Sequence, residues 1–118
     1  MLQHVTIEVS AAQVDDCVRF YELLGFRQVD PPESLEGRAT WVERGGTQIH
    51  LMPVEEPTVP ASGHHALLVV DYDATVAALR DAGFDPEPRE QHWGAERAFV
   101  RNPAGHRVKL MAGSPAQH

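Results

Sequence analysis

The chain has 118 residues, 42% hydrophobic and 23% charged, a composition that suits one globular domain with its own core. Its formal net charge of -7 and the absence of a basic run argue against nucleic acid as a partner and leave a neutral or cationic small molecule compatible. No apolar run is long enough for a membrane span, residues 1–10 lack the layout of a signal peptide, and the lone Cys17 excludes an internal disulfide, so a cytoplasmic protein is expected.

Residues 4–9 are β-branched and nearly alternating, which predicts a strand. Ser10 and Gln13 fit a capping box that opens a helix over 11–24, with Val14, Cys17, Val18, Tyr21 and Leu24 on its apolar face. Gly25 suits the left-handed position that ends a helix. A strand is expected at 26–29, a loop from Pro31 to Gly37, and a hairpin of strands 39–44 and 47–52 about Gly45-Gly46. Residues 55–63 are rich in proline and glutamate and read as a linker. A strand from His64-His65, a helix over 73–82 stopped by Gly83, a short second strand, and a closing hairpin of 97–101 and 106–112 follow. Residues 114–118 read as a frayed tail.

The chain repeats itself. Trp41-Val42-Glu43-Arg44 matches Phe99-Val100-Arg101-Asn102, and Gly46 to Met52 matches Gly105 to Met111. His4 to Val9 is matched to His65 to Val70, and Leu24-Gly25-Phe26 to Ala82-Gly83-Phe84. Such order predicts an α+β fold of two β-α-β-β-β units, unit one over 2–54 and unit two over 64–113. Their eight strands would form a curved sheet around a cleft, with the helices outside.

Strand alternation then assigns faces. Ile49 and Leu51 should pack on the helix, sending Gln48, His50 and Met52 to the cleft; Val108 and Leu110 likewise send Arg107, Lys109 and Met111 there. Val5, Ile7 and Val9 take the helix side, leaving His4, Thr6 and Glu8 inside. The matched blocks put His65, Leu67 and Val69 in the corresponding places, and give His64 the wrong parity. Polar side chains at matching places on a coverable face point to a site.

The motifs His4-Val5-Thr6-Ile7, Gln48-Ile49-His50-Leu51, His65 to Asp71 and Asn102-Pro103-Ala104-Gly105-His106-Arg107-Val108-Lys109-Leu110 resemble those of the vicinal-oxygen-chelate superfamily of glyoxalases, bleomycin-resistance proteins and extradiol dioxygenases. The resemblance spans residues 2 to about 112. It implies metal-ligand positions at His4, His50, His65 and Lys109, where the family usually has glutamate at the last. A protonated lysine has no lone pair to give. Its charge opposes a divalent ion by roughly 4 kcal/mol per unit charge at 4 Å and an effective dielectric of 20. Glu8 lies four residues from His4 along the strand, roughly 13 Å away, and does not replace the missing carboxylate. Three histidines still suffice for zinc with an open position. The lack of a carboxylate disfavours glyoxalase I and extradiol dioxygenase chemistry in particular.

Two readings follow. One is an isomerase, lyase or transferase with a divalent metal (zinc, nickel, manganese or iron) on His4, His50 and His65. It would act on adjacent oxygens of a small substrate, with His50, Lys109 and Arg107 catalytic. Thr6, Glu8, Gln48, Met52, Leu67 and Met111 would line the substrate. On this reading Lys109→Glu restores a carboxylate and strengthens metal binding. The other is a metal-free binder like the bleomycin-resistance proteins, which would sequester a cationic drug in an acidic dimer groove, with Trp41, Trp93 and Phe99 each either a stacking surface or core. The loop Gln91-His92-Trp93-Gly94 reads as an exposed loop and Cys17 as core. A homodimer is expected, since paired sheets leave edges that need cover.

Overall fold

A computed structural model describes residues 1–115; the tail expectation at 116–118 lies outside the described residues. The chain divides into two compact units, Met1–Val59 and Pro60–His118, each with one helix and a four-stranded mixed sheet.

In unit one, β1 (His4–Val9) leads through a 3-10 turn (Ala11–Gln13) into α1 (Val14–Leu23). The capping box is present: the Ser10 backbone N–H donates to Gln13 Oε1 at 3.2 Å. It caps the 3-10 turn, so the expected helix over 11–24 becomes α-helical only at Val14. Cys17, Val18, Phe20, Tyr21 and Leu24 are buried. Gly25 follows with φ +89°, a conformation that only glycine adopts cheaply.

Then come β2 (Arg27–Val29), a 3-10 turn within the 31–37 loop (Glu33–Leu35), and the hairpin of β3 (Thr40–Arg44) and β4 (Thr47–Pro53). Gly45 and Gly46 both have positive φ, as the tight two-residue turn requires. The order is β1-β4-β3-β2, with β1 and β4 parallel and the other pairs antiparallel. Ile7, Val9, Val42, Ile49 and Leu51 form the helix-side core.

Unit two repeats the plan with β5 (His64–Leu68), α2 (Tyr72–Asp81), β6 (Glu87–Pro88), β7 (Arg97–Arg101) and β8 (Arg107–Met111), in the order β5-β8-β7-β6. Asp71 caps α2, its Oδ1 accepting from the Ala74 N–H at 3.0 Å. Pro86 and Pro88 lack ladder donors, and β6 is only two residues long. The extra residue of the last hairpin is absorbed around Asn102, whose buried Oδ1 accepts from the N–H groups of Ala104 and His106, both at 3.0 Å.

The register corrects one expectation. His64 pairs with Arg107 and His65 with Val108. Aligned residues of neighbouring strands share a face, so His65, Leu67 and Val69 lie on the helix side with Val108 and Leu110. Leu67 and Val69 are buried in the core. The open-face equivalent of His4 is therefore His64, and the matching of the first strands must slip by one residue, which exchanges the faces.

Candidate functional site

In unit one the alternation of β1, β3 and β4 gathers the expected residues on the open face. His4 aligns with Gln48, Thr6 with His50, and Glu8 with Met52, while Trp41 and Glu43 flank His50 and Gln48 from the other side. The rings form a stack of three. Trp41 lies on His50 with centroids 4.1 Å apart and planes 2° from parallel; His50 lies on His4 at 4.2 Å and 14°.

A hydrogen-bond chain fixes His50 in its plane. Gln48 Nε2 donates to Glu43 Oε1 at 3.1 Å, which turns the amide oxygen of Gln48 towards His50 Nε2 at 2.8 Å. That order puts the His50 proton on Nε2. Arg27 backs Glu43 at 3.6 Å. Burial, and then the neighbouring His4, lower the pKa of His50, which favours the neutral ring. Glu8 is tied down, its Oε1 accepting from the Thr58 N–H at 2.8 Å. Thr6 and Met52 are exposed beside the stack.

In unit two Arg107, Lys109 and Met111 lie on the open face, as alternation requires. The Arg107 guanidinium sits 4.1 Å above the centre of Phe99 and donates to the Ser62 carbonyl at 3.3 Å. Lys109 Nζ is 5.2 Å from the centre of Trp93. The loop at 91–94 is anchored, since the Trp93 indole N–H donates to the Gly113 carbonyl at 2.8 Å. Leu67 and His65, expected here, are on the other face. Burial, then His106 and His64, push the pKa of His65 down to about 4.

These residues do not fit the metal that the resemblance implies. Imidazole lone pairs lie in the ring plane, so stacked, nearly parallel rings cannot both aim at one ion about 2.0–2.1 Å from each nitrogen. His50, with its Nε2 proton on Gln48, keeps only Nδ1 for a metal, His65 faces the core, and Lys109 offers no lone pair. Among the described residues no group of three His, Cys, Asp or Glu side chains is placed to hold a metal.

Sequence reasoning left Trp41 undecided between core and stacking surface. The signal was its position opposite His50 in the hairpin. It also passed over Arg97 and Arg101, which alternation around Phe99 places on the open face, and Arg89, whose guanidinium lies 5.7 Å from the Phe99 centre.

A model of the Glyoxalase/Bleomycin resistance protein/Dioxygenase superfamily matches residues 2–110. No curated protein sequence matches the chain. A solved structure of a protein ascribed to the glyoxalase family of Bacillus anthracis is similar with a TM-score of 0.85 and 23% identity, over 94% of this chain and 93% of that one. The fosfomycin resistance protein FosX of Mesorhizobium loti gives 0.75 and 19%, over 97% and 92%. Lactoylglutathione lyase of Agrobacterium tumefaciens gives 0.71 and 16%, over 94% and 92%. At these identities the likeness concerns the fold.

Proposed function

The chain belongs to the Glyoxalase/Bleomycin resistance protein/Dioxygenase superfamily, and within it we propose that this protein is a metal-independent binder of a small planar organic molecule. The observation that carries this reading is the Trp41–His50–His4 stack. A run of parallel π faces, fixed by Gln48 and Glu43, suits another flat ring better than an ion. Thr6 and Met52 flank the stack and supply a hydroxyl and an adaptable apolar surface to the ligand. The same reading makes the protein a homodimer in the cytoplasm. The lone cysteine is buried, and with no second cysteine in the chain the fold calls for no oxidising compartment.

A metal-dependent enzyme is the second reading, favoured by the fold shared with FosX and lactoylglutathione lyase. It requires the Trp41–His50–His4 stack to open, so that His50 Nδ1 and His4 can aim at one ion. Elemental analysis and zinc, nickel and manganese calorimetry on the wild type and Lys109→Glu separate the two. The binder takes up no stoichiometric metal in either form. Binding by the wild type, or a tenfold or larger gain in Lys109→Glu, which is about 1.4 kcal/mol, would establish the enzyme reading instead.

A further inference from the structure

We propose that the open face of unit two is a site for a small aromatic oxyanion (a carboxylate or a phosphate). On that face Phe99 sits at the centre of a cationic ring. Arg97 and Arg101 flank it along β7, Lys109 lies opposite on β8 and Arg107 diagonally, and Arg89 approaches from beyond β6. The guanidinium of Arg107 is 4.1 Å from the Phe99 centre and that of Arg89 is 5.7 Å.

Two carboxylates, Asp85 and Glu87, line the recess together with Arg89, Arg101 and Arg107; Glu87 pairs with Arg89 at 3.1 Å. Among the described residues no ion pair involves Arg97, Arg101, Arg107 or Lys109. Half of the ten basic residues of an acidic chain are thus concentrated on one sheet face. Gathering like charges without neutralising them is unfavourable unless an anion completes the face.

The shape argues for a small ligand. A recess of about 410 Å³ is lined by Phe84, Arg89, Phe99, Arg101 and Arg107, together with Asp85 and Glu87 among others. That volume suits a small molecule, and a net charge of -7 repels a polyanion. Stacking on Phe99 and the bond to Ser62 hold the fork of Arg107 in one plane, ready to meet an oxyanion edge-on. Phe99 and Phe84 give the ligand ring an apolar wall. His64, edge-on to Phe99 at 5.0 Å, closes one side.

The observations behind this site all lie within unit two, and its test reads residues other than those of the Trp41 stack. Backbone amide NMR would follow titrations of the full chain with 1-naphthoate, phenyl phosphate and, as the charge-reversed probe, 1-naphthylmethylammonium. At least one oxyanion is expected to shift the amides of Phe99, Arg101 and Arg107, and the cation is expected to leave them in place. The oxyanion that binds more tightly identifies the headgroup as carboxylate or phosphate. Arg107→Gln should weaken binding at least tenfold, and Arg107→Lys by a smaller factor, since it keeps the charge and loses the fork. Phe99→Leu should weaken the aromatic probes several-fold while leaving the spectrum dispersed. The proposal is overturned if neither oxyanion shifts these amides, if the cation shifts them equally, or if both Arg107 variants bind as well as the wild type.

Discussion

His65 shows at the scale of one residue what the fold does with a polar side chain on its inner face. Burial beside His106 and His64 holds its pKa at about 4, against 6.5 in an unfolded chain. The folded protein therefore keeps His65 neutral at a pH where the unfolded chain protonates it. The sign follows. His65 takes nothing from stability above pH 6.5, and stability falls as the pH drops from 6.5 to about 4, by on the order of 3 kcal/mol at about 1.4 kcal/mol per unit. Urea unfolding at neutral pH and at pH near 4.5 should show this loss. In His65→Leu the slope across that window should flatten; an unchanged slope would show that another group carries it. His64, one residue away, is exposed on the opposite face.

At the scale of elements, most of the architecture was legible in the sequence. Alternation, the Gly45-Gly46 turn and the internal repeat located β1, β3, β4, β7 and β8, and helical spacing located both helices. The face of β5 was not. His65-Ala66-Leu67-Leu68-Val69-Val70 is apolar in both parities, so alternation carries no face information there, and the repeat tolerated a slip of one residue. Only pairing with β8 decides it. The start of α2 was also read one residue late, because Tyr72 is helical and Asp71 supplies the cap. Asp71→Ala should lower stability by about 1 kcal/mol in thermal or urea unfolding, as the loss of one N-cap usually does. Asp71→Ser, which still accepts from the Ala74 N–H, should recover most of that. For the candidate site, the sequence put His4, His50, Arg107 and Lys109 on open faces, while ring stacking, which depends on rotamers, lay beyond any pattern of residue types.

At the scale of the whole molecule, each sheet has two edge strands and one face without a helix of its own unit. β1, with six residues, and β5, with five, stand at the edges of their own sheets. Leu68 and Met52 are exposed large hydrophobic side chains on open faces, and Val70 is more exposed still, just past β5. Edges and apolar surface of this kind are commonly covered by a second copy. Light scattering at micromolar concentration should give twice the chain mass. A monomer mass there would count against the homodimer. Replacing Leu68 by lysine should weaken the association if this face is part of the interface.

The Trp41–His50–His4 stack also has an optical consequence. An indole in van der Waals contact with an imidazole is dimmed when that ring gains a proton, since the imidazolium accepts an electron from the excited state. Burial and His4 lower the pKa of His50, so the emission of Trp41 should stay bright to a more acidic pH than contact with a free histidine would allow. The Trp93→Phe variant isolates this signal, and His50→Gln should abolish its pH dependence. A flat guest that parts Trp41 from His50 should also relieve the dimming, so at a pH acidic enough to protonate His50 the emission should rise on binding and the molecule carries its own indicator of occupancy.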